Sequence, residues 1–235
     1  MERALLRICG LTEKQVLEKI QAIPGREGLD IAVVEDCLDC KIMMKSTTMK
    51  PIEFATIRAH IFAEFEDFAY STEEISLPVL AAELLRLNNK MLSVAESLTG
   101  GEICSKLCTV PGISENLYEG IVCYNRFSKI RRLGVSSITI AEKGAVSRET
   151  AYEMVRGLLK NGIPNAIGLA TTGLAGPSAD EGKPVGLVYI AVGAGDFITV
   201  FERVLEGDRN TIRNGVTNLA LFYLIRYLKG NILRL

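Results

Sequence analysis

From Lys90 onward the sequence switches repeatedly between two hydrophobic periods, and this alternation narrows the folds open to it more than any other feature. Short apolar, β-branched runs fall at 92–95, 119–124, 166–171, 186–192 and 198–204. Between them, helical spacing covers about 100–108, 126–132, 147–160 and 208–229. Ser147 with Glu149 and Thr150 makes a capped helix start, and Asp208 caps the last helix. That helix reads as amphipathic through Ile212, Val216, Leu219, Ala220 and Leu224. Such alternation predicts an α/β fold, a three-layer-type sandwich with a central mixed sheet.

The first ninety residues have a different texture. Leu5–Ile8 reads as a strand, and Thr12 caps a helix with Val16, Ile20 and Ile23 on one face. A turn at 23–28 is followed by strands at 29–34 and 41–45. Pro51 opens a helix carrying Ile57, Ile61, Phe62 and Phe65. A further helix after Pro78, with Leu80, Leu84 and Leu87 on one face, reads as the link to the second half. The expected organisation is a small α+β, KH-like domain over 1–88 and an α/β domain over 89–235.

Composition removes several function classes. The chain has 235 residues, 48% of them hydrophobic, and a net charge of −1. A direct nucleic-acid binder is disfavoured. The Gly25-Arg-Glu-Gly28 stretch resembles the G-x-x-G of RNA-binding modules, but residues 1–90 carry 11 basic and 15 acidic side chains and so repel phosphate backbones. Met1–Gly10 lacks a secretory leader pattern, and no apolar run approaches the ~18 residues of a membrane span. The expectation is a cytoplasmic protein with no membrane or nucleic-acid contact. The six scattered cysteines read as free thiols. Cys37-Leu-Asp-Cys40 lies in an apparent strand and lacks a second ligand pair, so neither metal nor cofactor is expected.

The chemistry concentrates at Leu92-Ser-Val-Ala-Glu-Ser-Leu-Thr-Gly-Gly101. A strand breaks at Glu96-Ser97, two glycines follow, and a helix begins. Ser97 thereby sits beside the N–H groups of a helix start, a place suited to a phosphate or an oxyanion. The sole histidine, His60, is far upstream. A base for Ser97 is therefore sought among lysine and tyrosine. Further islands fall mostly at strand-to-helix junctions: 110–114, 124–129, 171–177, 183–186 and 207–209. Taken singly, each reads better as a turn, a cap or a solvated surface than as a site, with Arg209 and Arg213 in the last class. In α/β sheets such junctions gather at the carboxyl ends of strands, where ligands bind.

In combination the islands resemble a known family. A-E-S-x-T-G-G, V-P-G-x-S, a tyrosine five residues before a lysine, T-G-x-A-G-P, K-P-V-G and G-D-R occur in order across residues 91–230. This is similar to the C-terminal domain of the competence/damage-inducible protein CinA, and residues 7–87 are similar to its small middle domain. The interior of Tyr124-Asn-Arg-Phe-Ser-Lys129 and the acidic 178–182 loop depart from the family pattern.

The resemblance implies a nicotinamide mononucleotide deamidase of pyridine nucleotide recycling, with no cofactor and no metal, as a homodimer or higher oligomer. It implies Ser97 as nucleophile, Lys129 as base and Tyr124 as proton relay. Thr99, Gly100 and Gly101 would hold the oxyanion or a phosphate. Ser114, Thr172, Gly173 and Arg209 would bind substrate, Arg209 at the 5′-phosphate. The alternatives are a silent nucleotide-binding module and a scaffold linked to competence or DNA damage.

Overall fold

The structure, a computed structural model, describes residues 1–160, 162–180 and 182–231. Glu181 of the acidic loop and residues 232–235 of the expected second domain lie outside the described residues. The chain divides into two compact units, the second beginning at Leu77.

In the first unit, β1 (Glu2–Cys9), α1 (Glu13–Gln21), β2 (Asp30–Asp36), β3 (Asp39–Ser46), α2 (Pro51–Glu64) and β4 (Ala69–Ser71) form an antiparallel sheet of order β2-β3-β1-β4 with two helices. Thr12 closes a capping box with Gln15 at the start of α1. Leu6, Ile8, Val16, Ile20, Ile42, Phe54, Ile57 and Ile61 share one core. In the Cys37–Cys40 stretch, read as strand, Asp39 and Cys40 do begin β3, whereas Cys37-Leu38 is the turn of a two-residue hairpin. Cys37 and Leu38 both have positive φ, 50° and 70°, as a tight β2–β3 connection requires. The Cys40 thiol is buried, donates to the Leu11 carbonyl at 3.2 Å, and burial pushes its pKa up to about 12. Its thiolate is therefore strongly disfavoured near neutral pH.

The second unit contains α3 (Leu77–Leu87), β5 (Met91–Glu96), α4 (Glu102–Cys108), a 3-10 turn at Ile113–Glu115, β6 (Leu117–Val122), α5 (Arg126–Leu133), α6 (Ser137–Lys143), α7 (Arg148–Leu159), β7 (Ala166–Gly173), β8 (Leu187–Ala194), β9 (Phe197–Val204) and α8 (Arg209–Leu228). The sheet order is β6-β5-β7-β8-β9. The pairs β5–β6 and β5–β7 are parallel, and β7–β8 and β8–β9 are antiparallel. This is the mixed central sheet expected from the alternation. Helix α7 packs on β7, β8 and β9, while α8 packs on β7 and β8.

Two expectations about helices change. The helix after Pro78 packs with α8 and α4 in the second unit rather than linking the units. It also buries Leu77, Ala81, Ala82 and Leu85, whereas Leu87 is exposed. Helix α8 is not simply amphipathic: every residue from Gly215 to Arg226 is buried. A helix packed against sheet on one side and helices on another buries several faces, which erases the amphipathic pattern.

Candidate active site

The parallel strands bring three junctions together. Glu96 pairs with Val122 of β6 and Thr171 of β7, so Ser97, Cys123-Tyr124 and Thr172-Gly173 emerge at one end of the sheet. The Ser97 N–H donates to the Thr171 carbonyl at 3.1 Å. The Cys123 N–H donates to the Glu96 carbonyl at 2.8 Å.

The central contact joins Ser97 to Lys129. Lys129 Nζ lies 2.8 Å from Ser97 Oγ, 2.9 Å from the Cys123 carbonyl and 3.3 Å from the Tyr124 carbonyl. Ser97 is 6% exposed and Lys129 1%. Asn125 makes this possible. Its side chain caps α5 by accepting from the Phe127 N–H, and the helix then delivers Lys129 one turn later.

Both side chains line a cavity of about 530 Å³. Tyr124, Thr172, Gly173 and Arg209 line it too, so six of the residues singled out from the sequence converge. Their individual placements are informative. Tyr124 is 55% exposed, and its hydroxyl accepts from Arg209. Arg209 also donates to the Gly176 carbonyl at 2.6 Å. The buried Thr172 hydroxyl donates to the Ala145 carbonyl at 2.7 Å, fixing one wall.

Four expected residues do not line the cavity. The Thr99 hydroxyl is buried against that of Thr171, 2.9 Å away. The Gly100 N–H donates to the Ser97 carbonyl at 3.1 Å. The Gly101 N–H donates to the Glu96 carboxylate at 2.9 Å. These glycines serve the backbone, with φ of +65° and +98°, a region that side chains disfavour. Ser114 lies in the exposed turn before β6, whereas the cavity lies beyond that strand's end. Six residues of strand separate the two levels, roughly 17–20 Å.

Glu96 explains why the α4 start is not open to an anion. Its buried carboxylate accepts from the N–H groups of Gly101, Ile103 and Cys104 at 2.9, 3.2 and 3.0 Å. An internal anion already fills the helix N-terminus. Arg213, read as solvated, instead grips the same turn. Its guanidinium donates to the Leu98 and Thr99 carbonyls at 3.0 and 2.9 Å and lies 3.6 Å from Glu102. The available signal was its spacing of four from Arg209, which puts both on one helical face. Asn125, Arg126, Ser178 and Asp180 also line the cavity; the sequence marked their segments only as departures from the family pattern and gave these residues no role of their own. Among the described residues no His, Cys, Asp and Glu group is arranged to hold a metal ion. No described helix is long and apolar enough to cross a membrane.

Comparison with known proteins agrees with this architecture. The family model of the CinA C-terminal domain matches residues 75–228. A CinA-like protein of Kosmotoga olearia is 37% identical over 230 residues, 95% of this chain and 56% of that one. A putative competence-damage inducible protein of Alkaliphilus oremlandii is 45% identical over 158 residues, 67% of this chain and 38% of that one. The chain spans about half the length of the curated relatives it matches. Among solved structures, a CinA superfamily protein from Klebsiella pneumoniae superposes with a TM-score of 0.63 at 28% identity, covering 66% of this chain and 96% of that one. The competence/damage inducible protein CihA of Agrobacterium tumefaciens gives 0.59 at 35% identity, covering 68% and 99%. On the matched residues and the shared fold, the chain belongs to the CinA family, its second unit corresponding to the CinA C-terminal domain.

Proposed function

We propose that the second unit is an amidohydrolase that deamidates nicotinamide mononucleotide to nicotinate mononucleotide and ammonia. The observation that carries this reading is the buried 2.8 Å contact between Ser97 Oγ and Lys129 Nζ at the wall of a polar cavity. A serine becomes a nucleophile when a base lies within hydrogen-bond reach of its proton. A lysine base must be neutral, and removal from water is the factor that favours the neutral amine. Lys129 meets both conditions of placement.

In the proposed reaction, Lys129 Nζ takes the Ser97 proton while Oγ adds to the carboxamide carbon. The C–N bond then breaks, and the lysine proton leaves with the amine as ammonia. Water, deprotonated by the same lysine, releases nicotinate mononucleotide and returns the proton balance to its start. Developing negative charge on the carbonyl oxygen needs a donor. The Gly100 and Gly101 N–H groups are already engaged, so the oxyanion role falls to the Leu98 N–H, which follows the nucleophile and has no partner among the described residues. Tyr124 supplies a carbonyl to the lysine and a hydroxyl to Arg209. Arg209 lines the cavity and has five N–H groups, so those not used on Gly176 and Tyr124 are left for the substrate phosphate.

Purified protein incubated with nicotinamide mononucleotide should release ammonia, and Ser97→Ala should lower kcat on the order of 10³-fold or more. Near-wild-type turnover in a folded Ser97→Ala protein would refute the serine mechanism. Absence of ammonia from the wild type under all conditions of pH would refute the deamidase reading.

A further inference from the structure

The cationic side chains around the cavity are unequally committed. Lys129 is held by Ser97 and two carbonyls. Arg209 is braced by Gly176 and Tyr124. Arg213, behind the nucleophile turn, is spent on Leu98, Thr99 and Glu102. Arg126, the first residue of α5, also lines the cavity, and no hydrogen bond or ion pair engages its side chain among the described residues. It precedes Lys129 by three residues, so both side chains leave the same face of α5.

Charge balance gives this uncommitted guanidinium a purpose. A phosphate monoester carries about −1.5 to −2 near neutral pH and presents three acceptor oxygens. Arg209, with part of its donor set already used, neutralises about half of that. A second guanidinium supplies the remaining charge and a planar fork suited to phosphate oxygens. The Asp180 carboxylate also lines the cavity and repels an anion placed beside it. We propose that Arg126 is an anion-binding residue of this cavity. Together with Arg209 it receives the phosphomonoester of a ligand bearing ribose 5-phosphate. The ligand's pyridine end rests on the deamidase reading; the anion site does not.

Calorimetric titration with ribose 5-phosphate tests the site without turnover. The full chain should bind this probe, and Arg126→Gln should raise Kd about tenfold or more, as expected for a lost charged hydrogen bond. Arg126→Lys, keeping the charge but not the fork, should lie between the two. With nicotinamide mononucleotide as substrate, Arg126→Gln should raise KM by a similar factor, and by much less with nicotinamide riboside, which lacks the phosphate. Equal Kd values for wild type and Arg126→Gln would overturn the proposal, as would failure of the wild type to bind ribose 5-phosphate. Arg126-dependent binding without ammonia release would uphold the anion site and remove the deamidase reading. Ammonia release with an unchanged KM in Arg126→Gln would do the reverse.

Discussion

At the scale of single residues, Lys129 poses the sharpest physical question. A lysine at 1% exposure is costly to fold unless its amine is neutral or fully hydrogen-bonded. A fold that needed only volume at this position would be served by an apolar chain of similar length. Lys129→Met therefore separates structure from chemistry. It leaves the Cys123 carbonyl short of one donor but removes a buried amine, and these effects oppose each other. The thermal midpoint should move by no more than a few degrees, while ammonia release on the proposed reading falls on the order of 10³-fold. Calorimetry and an ammonia assay on the same preparation check both halves. A variant that unfolds yet shows normal turnover per folded molecule would make the lysine structural.

At the scale of elements, the β5–α4 junction is held more tightly than its sequence suggests. Glu96 caps α4 from inside, Arg213 of α8 binds two carbonyls of the turn, and Thr99 meets Thr171 of β7. Hydrogen bonds to charged groups contribute ~1.5–3 kcal/mol each, with strong overlap among those sharing one carboxylate. Glu96→Gln replaces one acceptor oxygen by an amide that faces backbone donors. We expect it to lose about 1.5–3 kcal/mol, a midpoint drop of roughly 3–12 °C, and to lower kcat as the Ser97 turn loosens. A variant as stable and active as wild type would mean that the carboxylate's charge contributes little at this junction.

This junction also marks what was legible in the sequence. Period-2 and period-3.6 patterns located all five strands of the second unit and most of its helices, because a sheet covered on both faces leaves apolar runs. Ser97, Lys129, Tyr124, Thr172 and Arg209 were visible as islands at strand ends. The Glu96 cap was not, since its partners are backbone N–H groups, which leave no trace in side-chain identity. Helix α6 and strand β4 were missed because each is short, seven and three residues. The face of α3 was misassigned because Leu80, Leu84 and Leu87 fit helical spacing as well as Leu77, Ala81 and Leu85 do. Burial, not periodicity, decides between such stripes.

At the scale of the whole molecule, every residue lining the Ser97–Lys129 cavity belongs to the second unit, while the exposed His60 sits on α2 of the first. The proposed chemistry should therefore survive without residues 1–76. The boundary is the critical choice. Helix α3 packs on α8 and α4, and it buries Leu77 and Leu85 almost completely. Burying each leucine contributes ~1.5–3 kcal/mol, so a fragment lacking α3 forfeits about 3–6 kcal/mol and exposes part of α8. That is a large share of the stability of a domain this size. A fragment of residues 77–235 should fold cooperatively and release ammonia with a kcat within about threefold of the full chain. A fragment of residues 89–235, cut at the boundary that sequence texture favours, should express poorly or aggregate through the uncovered face of α8. Soluble yield, thermal midpoint and ammonia release of the two fragments decide the matter. Equal stability of both would show that α3 is dispensable and that the second unit effectively begins at β5. Loss of turnover in a well-folded 77–235 fragment would show that the first unit takes part in the reaction.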